Sequence, residues 1–485
     1  MSSHEFEPET KIPSEVDILV VGNGALGLSI ADEISRRQTS KSVAVIGPKD
    51  REGGASQAAG AMLGCFGEVT SDTLRTDAGR QRFELGLTAH SYWASTIRRL
   101  ELSSPENRPI EVANDTYVIL NSVGGDLDTE NFNAIEAALK EYEVNWNEAD
   151  PRLIEGFSPR TDCRAFRCVY LPNEGAIDAR SFLNALESSL VKAHVPLINM
   201  SVRRVIESQG SVSGVELNDG TCIDAEVVVV AAGAQSEALV SGVSADISLL
   251  PTFPGLGLGM IAKRSKGAPF SSVIRTPNRG FACGLHIVPQ GDGKDYIGST
   301  NRIVHKIMNV GWLEDVRYLS QYAMQQLDEN IAHHQIERFL HGNRPITLDG
   351  FPLVGWLPIG GLYLMTGTYR DGLHTSPLFA DHIANEILDG KALINSAFRP
   401  TRRPISTRTI EHSIEEYAHH SVATWYETGA DSSQMPTKDL YTYYRNSALR
   451  AYEQLGIDYA LGPDVLWYAV GDELGTRHIK GYFNR

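Results

Sequence analysis

A glycine-rich turn placed directly after a buried strand constrains this chain more than any other feature. Asp17-Ile-Leu-Val-Val21 is a short apolar run, and it ends in Gly22-Asn23-Gly24-Ala25-Leu26-Gly27. Helical spacing then runs through Leu26, Ile30 and Ile34, and Ser42 to Ile46 is a second apolar strand. Strand, turn, helix and strand compressed in this way open a doubly wound α/β sheet. In such a turn Gly22 permits the tight bend, Gly24 lets a pyrophosphate approach the backbone, and Gly27 lets the helix lie against the strand. The helix start at Ala25 and Leu26 adds free N–H groups and positive dipole potential for phosphates. One element of the pattern is missing. The acid that usually binds the ribose hydroxyls is replaced by Gly47 in Val43-Ala-Val-Ile-Gly-Pro48, which leaves Asp50 or backbone groups to take its place. The turn alone does not separate a nicotinamide from a flavin dinucleotide.

Further along, Asp77 to Leu102 has helical periodicity without proline, and Thr116 to Leu120 reads as a strand. Ser181 to Ala193 predicts a helix, Ser201 to Val215 a pair of strands around a turn, and Ala225 to Val230 a strand buried on both faces. Glycine- and proline-punctuated segments between Leu249 and Thr300 suggest an antiparallel sheet, and Val310 to Asp328 a helix. Gly361 to Met365 is another buried strand, followed by Gly367-Thr-Tyr-Arg-Asp-Gly372 and a helix through Leu388. After Phe398 the chain becomes polar and then tyrosine-rich. There Leu440, Tyr444, Ala448, Ala451 and Leu455 share one helical face and Gly456 is a plausible stop. Such a helical appendage packs on its own domain or on another subunit, which leaves a homo-oligomer open.

At 485 residues the chain needs two or three structural units. Its 60 acidic and 44 basic residues give a net charge of -16, which disfavours nucleic acid as a partner. Five scattered cysteines fit a reducing compartment and lack paired metal spacing, so no metal is expected. Neither a secretory signal pattern nor a membrane-crossing run is present, and a cytoplasmic location is expected.

Gly53 to Gly64 is small, backbone-flexible and almost uncharged, as close approach to a flat ring requires. This stretch resembles the second FAD-contacting segment of the D-amino-acid oxidase superfamily, in particular its glycine oxidase and sarcosine oxidase branch. The likeness extends over most of Val16 to Phe398. Ser201-Val202, Gly214-Val215, Asp219-Gly220 and Ala225 to Gly233 resemble the family's adenine-side strands. His341-Gly-Asn-Arg-Pro-Ile-Thr-Leu-Asp-Gly-Phe-Pro-Leu-Val-Gly355 resembles its Arg-Pro…Asp-Gly segment, and Gly367 to Leu373 its loop at the flavin ring.

The resemblance implies a Rossmann-like FAD-binding domain of the glutathione-reductase type, an inserted antiparallel-sheet substrate domain and a helical C-terminal extension. Residues 14–105, 151–240 and 340–398 would form the first, 106–150 and 241–339 the second, and 401–485 the third. Cofactor contacts would come from Gly22, Gly24, Ala25, Leu26, Gly27, Ser56, Gln57, Ala59, Gly60, Met62, Val202, Ala232, Gly233, Tyr369, Arg370, Asp371, Gly372 and Leu373. Relatives that tether flavin through histidine or cysteine carry it where this chain has Gln57 and Gly342, so dissociable FAD is expected.

By the same resemblance Arg344 is the first candidate for a substrate carboxylate and Arg370 the second, because a planar guanidinium suits bidentate recognition. His286 stands where glycine oxidases have a tyrosine, and it would bind an acidic group, accept a proton or simply line the sheet. Glu68 falls near the same pocket. The implied activity is oxidation of a carboxylate-bearing amine or amino acid, with hydride transfer to FAD and reoxidation by molecular oxygen. Two alternatives are a dehydrogenase with another electron acceptor and a non-catalytic FAD protein whose C-terminal region recruits a partner.

Overall fold

The computed structural model describes residues 12–37, 39–103, 109–243, 247–281, 283–427 and 435–484. The expected boundary between residues 105 and 106 lies outside the described residues. The chain builds two large sheets and a C-terminal helical unit.

The first sheet has the order Leu353–Trp356, Leu362–Thr366, Cys222–Val230, Glu15–Val21, Val43–Ile46, Leu197–Ile198. The strands from Leu362–Thr366 through Leu197–Ile198 run parallel, with Val21 opposite both Val230 and Ile46. The hairpin Val202–Ser208 and Ser211–Leu217 attaches to Cys222–Val230. The strand run is apolar because both faces are covered. Ile18 and Val20 pack with Leu28, Ile30 and Ile34 of the helix Ala25–Arg36, while Leu19 and Val21 pack with Val215 and Leu217 of the hairpin.

The second sheet runs Arg302–Ile303, Thr252–Lys263, Lys294–Gly298, His286–Pro289, Val273–Arg275, Thr116–Asn121, Ala165–Leu171, Asn147–Glu148, and Gln335–Thr347 pairs with Thr252–Lys263. Its pairings are antiparallel apart from Val273–Arg275 beside Thr116–Asn121. Sheet membership crosses the expected unit boundaries, and Glu111–Ala113 of 106–150 also pairs with Ala176–Ile177 of 151–240. Ala165–Leu171, within 151–240, pairs in the second sheet, and Gln335–Thr347 straddles residues 339 and 340.

The extension contains the helices Ile410–Glu427, Thr437–Leu455, Pro463–Ala469 and Glu473–Phe483. Leu440, Ala448, Ala451 and Leu455 are buried along one stripe, and Gly456 ends that helix in the left-handed region at φ 62°. This unit packs on the same chain. Ile414, Tyr417, Leu461, Val465 and Leu466 share a core with Phe253, Phe281, Ile303 and Ile346. No helix among the described residues is long and apolar enough to cross a membrane.

Candidate active site

The carboxyl ends of four parallel strands converge on one cavity. It is lined by Val21 to Leu26 after the first strand, Ile46 to Pro48 after the second, Ala231 to Gln235 after the central one, and Thr368 to Arg370 after Leu362–Thr366. Open α/β sheets bind ligands at this edge because loops there diverge and helix N-termini point inward. The turn has no room for side chains. A Cβ at Gly22, whose φ is 117°, would lie 2.3 Å from the Ala231 carbonyl oxygen, and one at Gly27 would lie 1.8 Å from the Gly22 oxygen. At the helix start, the Ala25 N–H donates to Ser56 Oγ at 2.9 Å, which ties the turn to the small-residue segment.

Most of the expected cofactor contacts come together here. Gly22, Gly24, Ala25, Leu26, Ser56, Gln57, Ala59, Val202, Ala232, Gly233, Tyr369, Arg370, Gly372 and Leu373 all line the cavity. Gly27 acts one layer behind, as the packing contact just described. Gly60, Met62 and Asp371 are not among the lining residues. A Cβ on Gly60 would meet Tyr296 at 2.8 Å and His286 Nε2 at 3.0 Å, Met62 bridges to Ala176, and Asp371 pairs with Arg82 at 2.7 Å. Gly47 also lines the cavity, and Asn23 fills the space a side chain there would need, 2.6 Å from the Cβ position. Arg51 and Glu52, not Asp50, line that end.

The second sheet closes the cavity from the far side with Gly257, Tyr296, Asn343 and Arg344. Arg344 donates to the Thr300 carbonyl at 3.0 Å, Asn301 Oδ1 at 3.2 Å and Ser299 Oγ at 3.1 Å. All three acceptors are neutral, and no described carboxylate pairs with this guanidinium. Gly257 makes way for it, since a Cβ there would sit 2.1 Å from Nη1. Asn343 was not legible in the sequence. Its side chain donates to the Gly53 and Met308 carbonyls at 2.9 and 2.7 Å, clasping the small-residue segment to the second sheet.

A second cavity of about 540 Å³ lies beyond the Gly367–Leu373 loop, between both sheets and the C-terminal extension. Tyr369 and Arg370 line both cavities and form their common wall. Arg370 Nη2 donates to Tyr369 Oη at 2.8 Å, and its Nε has no partner. Glu68 lines this second cavity and pairs with Arg275, which is only 2% exposed. Burial pushes the Glu68 carboxyl up, but the Arg275 guanidinium outweighs this and holds it at about 2. Glu174 is a further residue that sequence reasoning missed. Its carboxylate accepts the N–H groups of Cys65, Phe66 and Gly67 at 2.7, 2.5 and 3.0 Å, which fixes the segment carrying Glu68.

His286 lines neither cavity. It is 2% exposed, stacks on Tyr296 with ring centroids 5.7 Å apart, and meets the Gly284 carbonyl through Nδ1 at 2.8 Å. Burial lowers its pKa to about 4, so the ring is neutral near pH 7. Asp72, His412 and Glu416 bring ligand atoms within 4.8 Å of one another at the extension's edge. Arg75 and Arg408 already neutralise those carboxylates, at 2.7 and 3.2 Å.

A parallel sheet that presents a glycine turn, a helix N-terminus and a small-residue segment to one cavity defines a dinucleotide-binding fold. Residues 17–386 match the FAD dependent oxidoreductase family, and the chain belongs to it. FAD is therefore the cofactor of this family, and the glycine turn and small-residue segment that line the first cavity fit a dinucleotide. The bifunctional protein ThiO/ThiG of Synechocystis sp. is 26% identical over 398 residues, covering 80% of this chain and 54% of the relative. The chain thus spans about half the length of the curated relatives it matches. In fold it is similar to glycine oxidase from Geobacillus kaustophilus, with TM-score 0.67, 21% identity, and coverage of 80% and 99% of the two chains. It is also similar to iminodiacetate oxidase from Chelativorans sp. BNC1, with TM-score 0.66, 19% identity, and coverage of 80% and 100%.

Proposed function

We propose that this protein oxidises the C–N bond of a carboxylate-bearing amine or amino acid. The observation that carries this reading is the position of Arg370, which lines both the cofactor cavity and the large second cavity. A carboxylate held there sets the neighbouring carbon against the cofactor, which accepts a hydride equivalent when bound. The substrate loses that hydride and a nitrogen-bound proton, becomes an imine, and water then hydrolyses it. Oxygen takes up the electrons and leaves as hydrogen peroxide. Arg370 takes the carboxylate in this reading, while Arg344 places positive charge on the opposite wall of the cofactor cavity. The relatives named for glycine and iminodiacetate oxidation support an aminocarboxylate substrate.

The cofactor is held without a covalent bond. Gln57 spends its amide on the Asp50 and Arg51 carbonyls, at 3.1 and 2.8 Å. A Cβ at Gly342 would meet Ala55 and Ala58 at 2.9 Å, which leaves no room for a tethering side chain.

The test is a spectral titration. The purified yellow protein is mixed with glycine, sarcosine, D-amino acids or aminophosphonates while flavin bleaching and peroxide are followed. Bleaching by an amine, with peroxide on aeration, is expected. Bleaching without peroxide would assign a dehydrogenase using another acceptor, and a protein that takes up no FAD would overturn both.

A further inference from the structure

The C-terminal extension lies beyond the 17–386 stretch that matches the family, yet it places a carboxylate against the flavin loop. Asp464 stands in the first turn of Pro463–Ala469 and lines the second cavity with Gly462 and Val465. The Tyr369 hydroxyl donates to Asp464 and accepts from Arg370 Nη2 at 2.8 Å and from Asn301 Nδ2 at 2.9 Å. That hydroxyl has then used its one donor and both acceptor positions, so its orientation is determined. The Arg370 guanidinium also lies over the Tyr369 ring, 4.6 Å from its centroid.

The arrangement solves a specific electrostatic problem. A buried guanidinium needs negative charge nearby, but a direct bidentate carboxylate would fill the donors that a substrate requires. No described carboxylate forms an ion pair with Arg370, and Glu68 is committed to Arg275. Asp464 supplies compensating charge at one remove, through the tyrosine, and leaves the guanidinium without a direct carboxylate partner.

We propose that Asp464 is a positioning residue: through the Tyr369 hydroxyl it holds the Arg370 guanidinium at the junction of the two cavities, so that the C-terminal extension completes the carboxylate site. This rests on the reading that Arg370 receives the substrate carboxylate. The extension is therefore part of the active site as well as a packing unit. Its core with Phe253 and Phe281, and Trp467 stacked 4.4 Å from Phe281, fix the helix that carries Asp464.

The experiment uses full-length, FAD-loaded protein and sodium acetate as the carboxylate probe, read by flavin absorption and by calorimetry. Asp464→Ala and Tyr369→Phe are each expected to weaken acetate binding about tenfold, near the worth of one hydrogen bond to a charged network. Asp464→Asn, whose amide oxygen still accepts from Tyr369 but carries no charge, should recover only part of that loss. The double variant Asp464→Ala/Tyr369→Phe should be no weaker than either single one, because both break the same chain. Glu453→Gln, on the exposed face of Thr437–Leu455, should bind acetate as the unaltered protein does. Acetate binding unchanged in Asp464→Ala, or additive losses in the double variant, would overturn the proposal. If Asp464→Ala fails to fold, Asp464→Asn and Tyr369→Phe carry the test, and unchanged binding in Tyr369→Phe overturns it. Should no amine reduce the unaltered protein, the oxidase reading falls while the acetate series still decides the role of Asp464.

Discussion

At the scale of single residues, the site turns on two arginines with different surroundings. Arg344 spends its fork on Ser299, Thr300 and Asn301, whereas Arg370 gives Nη2 to Tyr369 and lines the wall between the cavities. Arg370→Leu is expected to raise KM about a hundredfold with a smaller change in kcat, the usual cost of losing a buried charged partner. Arg344→Leu should raise KM less, and steady-state kinetics on the two variants will rank them. A larger effect at Arg344 would move the carboxylate there. His286 makes a separate prediction about pH. Its folded pKa of about 4 lies below the ordinary 6.5, so between these values the unfolded chain binds a proton that the folded one does not. Its contribution is complete above pH 6.5 and is lost as pH falls toward 4, at up to about 1.4 kcal/mol per pH unit. Denaturant titrations of His286→Gln and the unaltered protein between pH 5 and 7 should differ by this slope, and identical slopes would show that the ring is not held neutral.

At the scale of elements, backbone groups define the cofactor edge and buried polar side chains fix it. Glu174 alone satisfies three N–H groups ahead of Glu68. Glu174→Ala should cost about 3 kcal/mol, since it strands buried donors that no neighbour can reach. Urea unfolding measures this directly, and a loss under about 1 kcal/mol would mean that water replaces the carboxylate. The glycine turn is still less tolerant. Gly22→Ala combines a φ of 117° with a Cβ 2.3 Å from the Ala231 oxygen. The variant is expected to lose FAD on gel filtration while the second sheet remains folded by circular dichroism.

At the scale of the whole molecule, three units meet at Tyr369 and Arg370. The first sheet supplies the loop, the second supplies Asn301, and the extension supplies Asp464. Leu461 is fully buried in the core joining the extension to the second sheet. Leu461→Ala should therefore destabilise the protein by about 2–5 kcal/mol, as large-to-small core changes do. If the units are coupled, the same variant should also perturb the flavin spectrum when acetate is added. A destabilised protein with an unaltered acetate response would separate the extension's packing from its place at the site.

The local elements of the fold were legible in the chain because they rest on short-range rules. The apolar run before Gly22, the helical spacing after Leu26 and the stripe from Leu440 to Leu455 each follow from periodicity and stop signals within one element. Motif order and resemblance also picked out most of the residues that line the first cavity. Other features depended on contacts between distant segments. Sheet membership of Ala165–Leu171 depended on pairing with Thr116–Asn121, a choice that alternation alone does not make. Glu174 and Asp464 carry no motif, Asn343 lies in the His341–Gly355 motif without an assigned role, and all three roles arise when the fold aims them at Cys65–Gly67, Tyr369 and Gly53. The same holds for His286, whose neutrality comes from burial beneath Gly60. Sequence determined which cofactor edge this chain builds, because a phosphate-binding turn is local. Only the tertiary structure decided how the substrate end is wired, because a buried charge is compensated by whatever carboxylate the fold brings near it.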